Sequence, residues 1–334
     1  MSCGPKKISS LFLSAALVFL LAAPAGSYAA AAISAYRGIF KPFNLSDGKF
    51  RIAIRQFNRK GKQELLTVDP STFETFVEDA SGVDFSKAGQ PARPAGGPSR
   101  TAGGYEKTLN ASPFIKALTR YSAPPVRLQN HGITKAENTR GGVFLTVDLC
   151  PSKRPFDRDM FLAAIEFSGD KIPAPMAIAI TGAWIKTHKG ELTWILEQVK
   201  ARKLDVTWIN HSYSHPYSGK GKPLTEDFLL TRGVDFEKEV LDNESLMLDS
   251  GITPSPFFRF PGLASDGRTM KKLKELSLIP VGADAWLAKG ETPSDGSIIL
   301  VHGNGNEPRG IEKLLEFYKR EKGRLELLPV KDAF

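Results

Sequence analysis

Two histidines four residues apart stand in Asn210-His211-Ser212-Tyr213-Ser214-His215-Pro216, and a lone carboxylate closes the apolar run in Thr146-Val147-Asp148-Leu149-Cys150-Pro151. Imidazoles suit zinc, and a carboxylate can complete its ligand set. His211 and His215 are close enough in sequence to grip one ion from one loop. Amide or ester hydrolysis needs an activated water, an electrophile for the carbonyl oxygen and an acid for the leaving group, and a divalent metal can supply the first two. Three further short stretches carry polar residues of the right kinds: Phe258-Arg259-Phe260-Pro261-Gly262, Gly282-Ala283-Asp284-Ala285-Trp286, and Ile298-Ile299-Leu300-Val301-His302. Each has an ordinary explanation when taken alone, as a polar turn, a surface ion pair or a small buried thiol. Their coincidence carries the weight: three of the five histidines, two Asp and one Arg all fall at strand ends. His131 and His188 lie outside this set and receive no role.

The elements that must position these groups are legible from residue 141 onward. Residues 143–147 form a continuously apolar strand, 175–180 another, 204–209 a third strand and 296–301 a buried strand, while 256–260 is strand-like and 324–330 is a closing strand. Between them, Ile185, Leu192, Ile195 and Val199 mark one helix, residues 236–248 and 270–276 two more, and Ile311, Leu314, Leu315 and Tyr318 one face of another. Strands that are apolar throughout and alternate with helices imply a parallel sheet covered by helices. A barrel or a doubly wound sheet satisfies this pattern, and both place their sites at the carboxyl ends of the strands, where the polar residues above are found.

The order of these five stretches resembles the polysaccharide deacetylase family, carbohydrate esterase family 4, over residues 141–330, with Ile178-Ala179-Ile180-Thr181-Gly182-Ala183-Trp184-Ile185 resembling that family's second strand and helix start. The resemblance implies an α/β fold, a distorted (β/α)7 TIM-like barrel with a small N-terminal extension. It implies a metal-dependent hydrolase that removes acetyl groups from an envelope or extracellular polysaccharide, N-deacetylation of an N-acetylglucosamine-type glycan being favoured over an O-acetyl xylan or glycan esterase. By the same resemblance His211 and His215 are ligands of a divalent metal, zinc by donor type. Asp148 is the general base, His302 the general acid, and Arg259 holds Asp148 ionised. Asp284 positions Arg259 or His302, and Trp286 and Leu300 line the slot for the acetyl methyl. The chain departs from the family pattern at three places. Leu149 stands where a metal-binding Asp is usual, Gly262 where a Tyr is common, and Gly303 where an Asp often follows the acidic histidine. Asp148 or Cys150 could supply the third ligand, since a thiolate two residues along an extended chain points to the same side and zinc accepts it readily. Loss of the Asp also leaves open a non-catalytic glycan-binding module, and the fold is compatible with a small amide as substrate.

The 334-residue composition, 41% hydrophobic and 24% charged, supports a sizeable core. Residues 1–29 read as a secretory signal peptide, with Lys6 and Lys7 before the apolar run 11–23 and a small-residue cleavage site at Ser27-Tyr28-Ala29. The expectation is therefore a secreted or periplasmic protein with no stable membrane anchor after cleavage. The net charge of +9, or +7 without Lys6 and Lys7, is compatible with an anionic envelope polymer, and no nucleic-acid motif is present. Cys150 is the one cysteine beyond the signal, so no internal disulfide is expected. Residues 30–85 form a small segment with a possible β-hairpin, in which 49–55 alternates polar and apolar and 64–68 returns. Residues 86–104 read as a Gly/Pro/Ala-rich linker and 105–140 as an approach to the deacetylase domain at 141–334.

Overall fold

Alternating side chains and tight turns build a sheet ahead of the strand-helix units. β1 (Ser34–Asn44), β2 (Phe50–Arg59), β3 (Lys62–Val68) and β4 (Thr75–Asp79) pair in that order, antiparallel throughout. Lys60 and Gly61, both at positive φ, make the two-residue turn between β2 and β3, the geometry that matches strand twist in a hairpin. This computed structural model describes Met1 and residues 33–83, 107, 109–137, 139, 141–219 and 221–334. The expected signal at 1–29 and linker at 86–104 lie outside the described residues. No helix among the described residues is long and apolar enough to cross a membrane.

After α1 (Pro113–Tyr121) the chain alternates: β5 (Gly142–Leu149), α2 (Arg158–Ser168), β6 (Ala174–Ile180), α3 (Gly182–Thr187), α4 (Lys189–Lys200), β7 (Leu204–Asn210), α5 (Phe236–Asp249), β8 (Phe257–Phe258), α6 (Gly267–Glu275), β9 (Ile279–Pro280), β10 (Ala285–Trp286), β11 (Ile298–His302), α7 (Pro308–Glu321) and β12 (Glu326–Leu327). The strands follow the path β10-β11-β5-β6-β7-β8-β9, and every pairing in it is parallel. Seven strands curl into a distorted barrel. Among the described residues its two end strands, β9 and β10, do not pair. The chain at 129–135 crosses that seam through single bridges from Gln129, Ile133 and Lys135 to Ala264, Val281 and Ser297.

Strand parity decides what faces the barrel interior, because successive side chains of a strand point to opposite faces. On β5, Val143, Leu145, Val147 and Leu149 pack outward with Phe161, Trp184 and Leu314 of the helical layer. Phe144 turns inward with Ala177, Ala179, Ile298 and Leu300. The end of the interior away from the strand carboxyl termini is filled by Ile54 and Leu66 of the N-terminal sheet, by Phe73, by Phe114 of α1 and by Val330. Asp148 therefore falls on the inward face and Leu149 on the helical one.

Three expected elements are shorter than their sequence patterns. The helix expected through Ile185 and Val199 is two helices broken at His188 (φ −124°, ψ 48°), whose imidazole stacks on Trp184 with 4.8 Å between ring centroids. The apolar residues on either side keep helical spacing across the break, so periodicity alone misses it. The strands expected at 256–260 and 324–330 contract to two residues each. Phe260 bends into a turn at Pro261–Leu263, and Pro329 opens the last turn, Val330–Ala333.

Candidate active site

The carboxyl ends of β5, β7, β8 and β11 bring Asp148, His211, His215, Arg259 and His302 around one cavity of about 580 Å³, whose wall includes Asp148, Cys150, His211, His215, Trp286 and His302. Arg259 stands behind this wall, fully buried. Its Nη1 donates to Asp148 Oδ1 at 3.1 Å, while Nε and Nη2 are spent on the carbonyls of Val281 and Gly282. A guanidinium held by three acceptors is a rigid mount for a carboxylate. Burial would push the Asp148 carboxyl up, but Arg259, His211 and His302 together hold it below the ordinary carboxylate range.

The histidine loop is locked by its own side chains. Ser212 N donates to Asn210 Oδ1 and His215 N to Ser212 Oγ, and these bonds maintain positive φ at Ser212 (69°) and His215 (50°), a conformation that costs non-glycine residues energy. The two imidazoles meet edge-on, 68° between planes, with centroids 5.0 Å apart. His211 Nδ1 bonds the carbonyl of Arg259 at 2.8 Å, which fixes the tautomer and leaves Nε2 with a free lone pair. Burial lowers the pKa of His211, which favours the neutral ring that a metal ligand must be. His211 Nε2 lies 3.7 Å from Asp148 Oδ2 and 3.4 Å from Cys150 Sγ. One donor atom each from Cys150, His211 and His215 lies within 4.8 Å of the other two. This nitrogen and sulfur donor set, with Cys150 and His211 buried and His215 partly exposed, fits a borderline-soft divalent cation such as zinc. Leu149 is fully buried among the helix-facing side chains and offers nothing to an ion.

His302 ends β11, in register beside Asp148 on β5. Its Nδ1 meets Glu307 Oε2 at 2.8 Å, and the same oxygen accepts from Trp286 Nε1 at 2.8 Å. Burial alone would lower the His302 pKa, but Cys150, Glu307 and Asp148 outweigh it and raise it well above its ordinary value. Burial would likewise raise the Cys150 thiol, yet the neighbouring His215 and His302 bring it down to about 7. Trp286 and the buried Leu300 are in the cavity wall.

Asp284 does not meet either of its expected partners. Its Oδ1 accepts from Ile298 N and its Oδ2 from Ser297 Oγ, with Lys135 Nζ at 3.9 Å, so it ties down the start of β11. Asp284 lies ahead of β10, so the alternation that would place it on the same side as Trp286 does not bind it, and its carboxylate reaches across to the entry of β11. The carboxylate on His302 is Glu307, which sequence reading missed. It precedes Pro308 at the start of α7 and makes no capping bond to that helix, leaving its side chain free for His302. The signal available was a carboxylate five residues past a strand-end histidine. Phe228 was missed too. A Cβ at Gly262, which has φ +61°, would run into the Phe228 ring, so that ring fills the space beside Gly262. Phe228 also packs edge-on against His215.

Replacing Glu307 with Gln keeps an acceptor for Trp286 but removes the charge that helps hold the His302 proton. Activity is expected to fall by about 10–100-fold, the scale of losing an orienting partner. The limb of the pH–rate profile on which His302 loses its proton should move to lower pH, because a weaker electrostatic field lowers a raised histidine pKa. An unmoved limb would refute this role.

A family model described as RP012 protein N-terminal domain matches residues 34–94. Among solved structures, the chain is similar to a family 4 carbohydrate esterase from Bacillus anthracis at 22% identity and TM-score 0.45, covering 61% of this chain and 87% of that one. It is similar to the peptidoglycan deacetylase PdaC from Bacillus subtilis at 17% identity and TM-score 0.43, covering 58% and 90%. A third, BA3943, a CE4 family pseudoenzyme from Bacillus anthracis, is 13% identical at TM-score 0.40, covering 59% and 67%.

Proposed function

We propose that this protein is a metal-dependent deacetylase that hydrolyses acetyl groups from a polysaccharide of the cell envelope or the extracellular space, with N-acetylglucosamine-type amides as the favoured substrate. The observation that carries the reading is the convergence of an Arg-held Asp148, two imidazoles on one loop and a carboxylate-held His302 around a single cavity. A divalent metal held by His211 and His215 would supply Lewis-acid polarisation of the acyl carbonyl and a lowered pKa for water.

The chain's own residues then divide the proton work. Asp148 Oδ2, free of Arg259, takes a proton from the attacking water as its oxygen bonds to the acetyl carbon. His302, whose Nδ1 is engaged by Glu307, delivers the proton on Nε2 to the departing nitrogen as the carbon–nitrogen bond breaks. Acetate and a free amine result. A base kept ionised and an acid kept protonated at the same pH is the division that acid–base hydrolysis requires. Trp286 and Leu300 close the acetyl slot and exclude water.

Acetate release from acetylated glucosamine oligomers by purified protein, together with its metal content, tests the reading. About one zinc-like ion per chain is expected, with release abolished by a chelator and restored by the metal. Release from acetylated xylan in place of the amide would favour the O-esterase. A second reading, a glycan-binding module without turnover, is favoured by Leu149 at the usual metal-carboxylate position, and glycan binding without acetate release would establish it.

A further inference from the structure

We propose that Cys150 is the third protein ligand of the metal, replacing the carboxylate that Leu149 cannot provide, so that the site is Cys-His-His and selects soft or borderline cations. The inference rests on the metal reading above and deepens it. Its basis is geometric. Strand parity sends Leu149 to the helical layer and returns Cys150 to the cavity side. There the Cys150 carbonyl is held by Asn304 Nδ2 at 2.6 Å, which fixes where the side chain starts. Sγ stands 3.4 Å from His211 Nε2, within about 0.2 Å of the ~3.5–3.6 Å at which zinc bonds of the usual length to sulfur and nitrogen in a tetrahedron put those donors. The Arg259 carbonyl on Nδ1 aims that Nε2 lone pair, and His215 adds a donor within 4.8 Å of both.

Asp148 is the competing candidate and fits less well. One of its oxygens is bound to Arg259, and it groups with Cys150 and His302 rather than with both loop histidines. A thiolate ligand also changes which ions compete. Sulfur favours zinc or cobalt and disfavours magnesium and calcium, which take oxygen ligands.

Cobalt substitution of the purified protein tests this without reference to turnover. Wild-type protein should show a near-ultraviolet sulfur-to-cobalt charge-transfer band. Cys150→Ser should lose the band and bind zinc at least about 10-fold more weakly, no less than the loss of an outer-shell partner. Alkylation of Cys150 by iodoacetamide should be slowed by bound zinc. Cys150→Asp, which restores a carboxylate, should bind metal without the band and guards against a Ser variant that fails to fold. The inference is overturned if cobalt binds the wild type without the band and zinc leaves alkylation unchanged. If metal binding survives Cys150→Ser but is lost in His211→Ala, the inference alone fails. If the wild type takes up neither zinc nor cobalt, the metal-dependent reading falls with it. An acetyl group found on Cys150 after incubation with substrate would overturn the ligand role in favour of a nucleophilic thiol.

Discussion

Asp148→Asn and His211→Ala should both reduce acetate release to background, by different routes that metal analysis separates. Asn is nearly isosteric with Asp and retains the oxygen that accepts from Arg259 Nη1, so the guanidinium keeps a partner and the barrel end keeps its shape. What disappears is the basic oxygen 3.7 Å from His211 Nε2. Loss of a positioned general base is expected to cost about 10²–10⁴-fold in rate, with the metal still bound. His211→Ala removes a donor and a side chain anchored to the Arg259 carbonyl, so metal and activity should leave together. Elemental analysis beside a rate measurement decides the matter. If Asp148→Asn also empties the site of metal, Asp148 is a ligand, and its assignment as base alone is wrong.

The sheet and the residues at its carboxyl ends were legible for a physical reason. Buried parallel strands must be apolar along their whole length, so the change from apolar to polar at Asp148, His211 and His302 marks where each strand meets the cavity. That signal located groups, not partners. Asp284 and Glu307 illustrate the difference. Both are carboxylates near strand ends, yet a side chain's partner depends on which way it leaves the backbone. Asp284 precedes β10 and reaches back to Ile298 N, whereas Glu307 opens α7 with its carboxylate unused by the helix. No periodicity records that choice. The seam between β9 and β10 was equally hidden, because the segment that crosses it makes only isolated bridges and so has no strand-like pattern. Phe228 belongs to the same class. It fills the space at Gly262 from a distant loop, and only the folded chain brings the two together.

The N-terminal sheet, whose sequence offered no functional motif, reaches the histidine loop through one ion pair. Arg55 of β2 and Glu244 of α5 are both fully buried. Arg55 Nε and Nη2 bond the two Glu244 oxygens at 2.6 and 3.0 Å, its Nη1 bonds the carbonyls of Ile54 and Leu276, and Tyr36 donates to Glu244 Oε2. The residue before Glu244 holds the site: Asn243 Nδ2 donates to Ile180 O and to Asn210 Oδ1, and that oxygen also accepts from Ser212 N within the histidine loop. Arg55→Met strands the Glu244 carboxylate in the core with only a phenol for company. Breaking a buried pair in this way is expected to cost about 3–5 kcal/mol, measured as a lower denaturant midpoint, and α5 should shift enough to weaken metal binding. The double variant Arg55→Met, Glu244→Leu removes both charges and should recover most of the stability, since an apolar pair avoids the desolvation that the ion pair must overcome. Recovery of metal affinity in the double variant would show that the loop senses α5 through packing. A single variant as stable as the wild type would mean that the sheet rests on the barrel without this pair, and that β2 does not act on His211 through it.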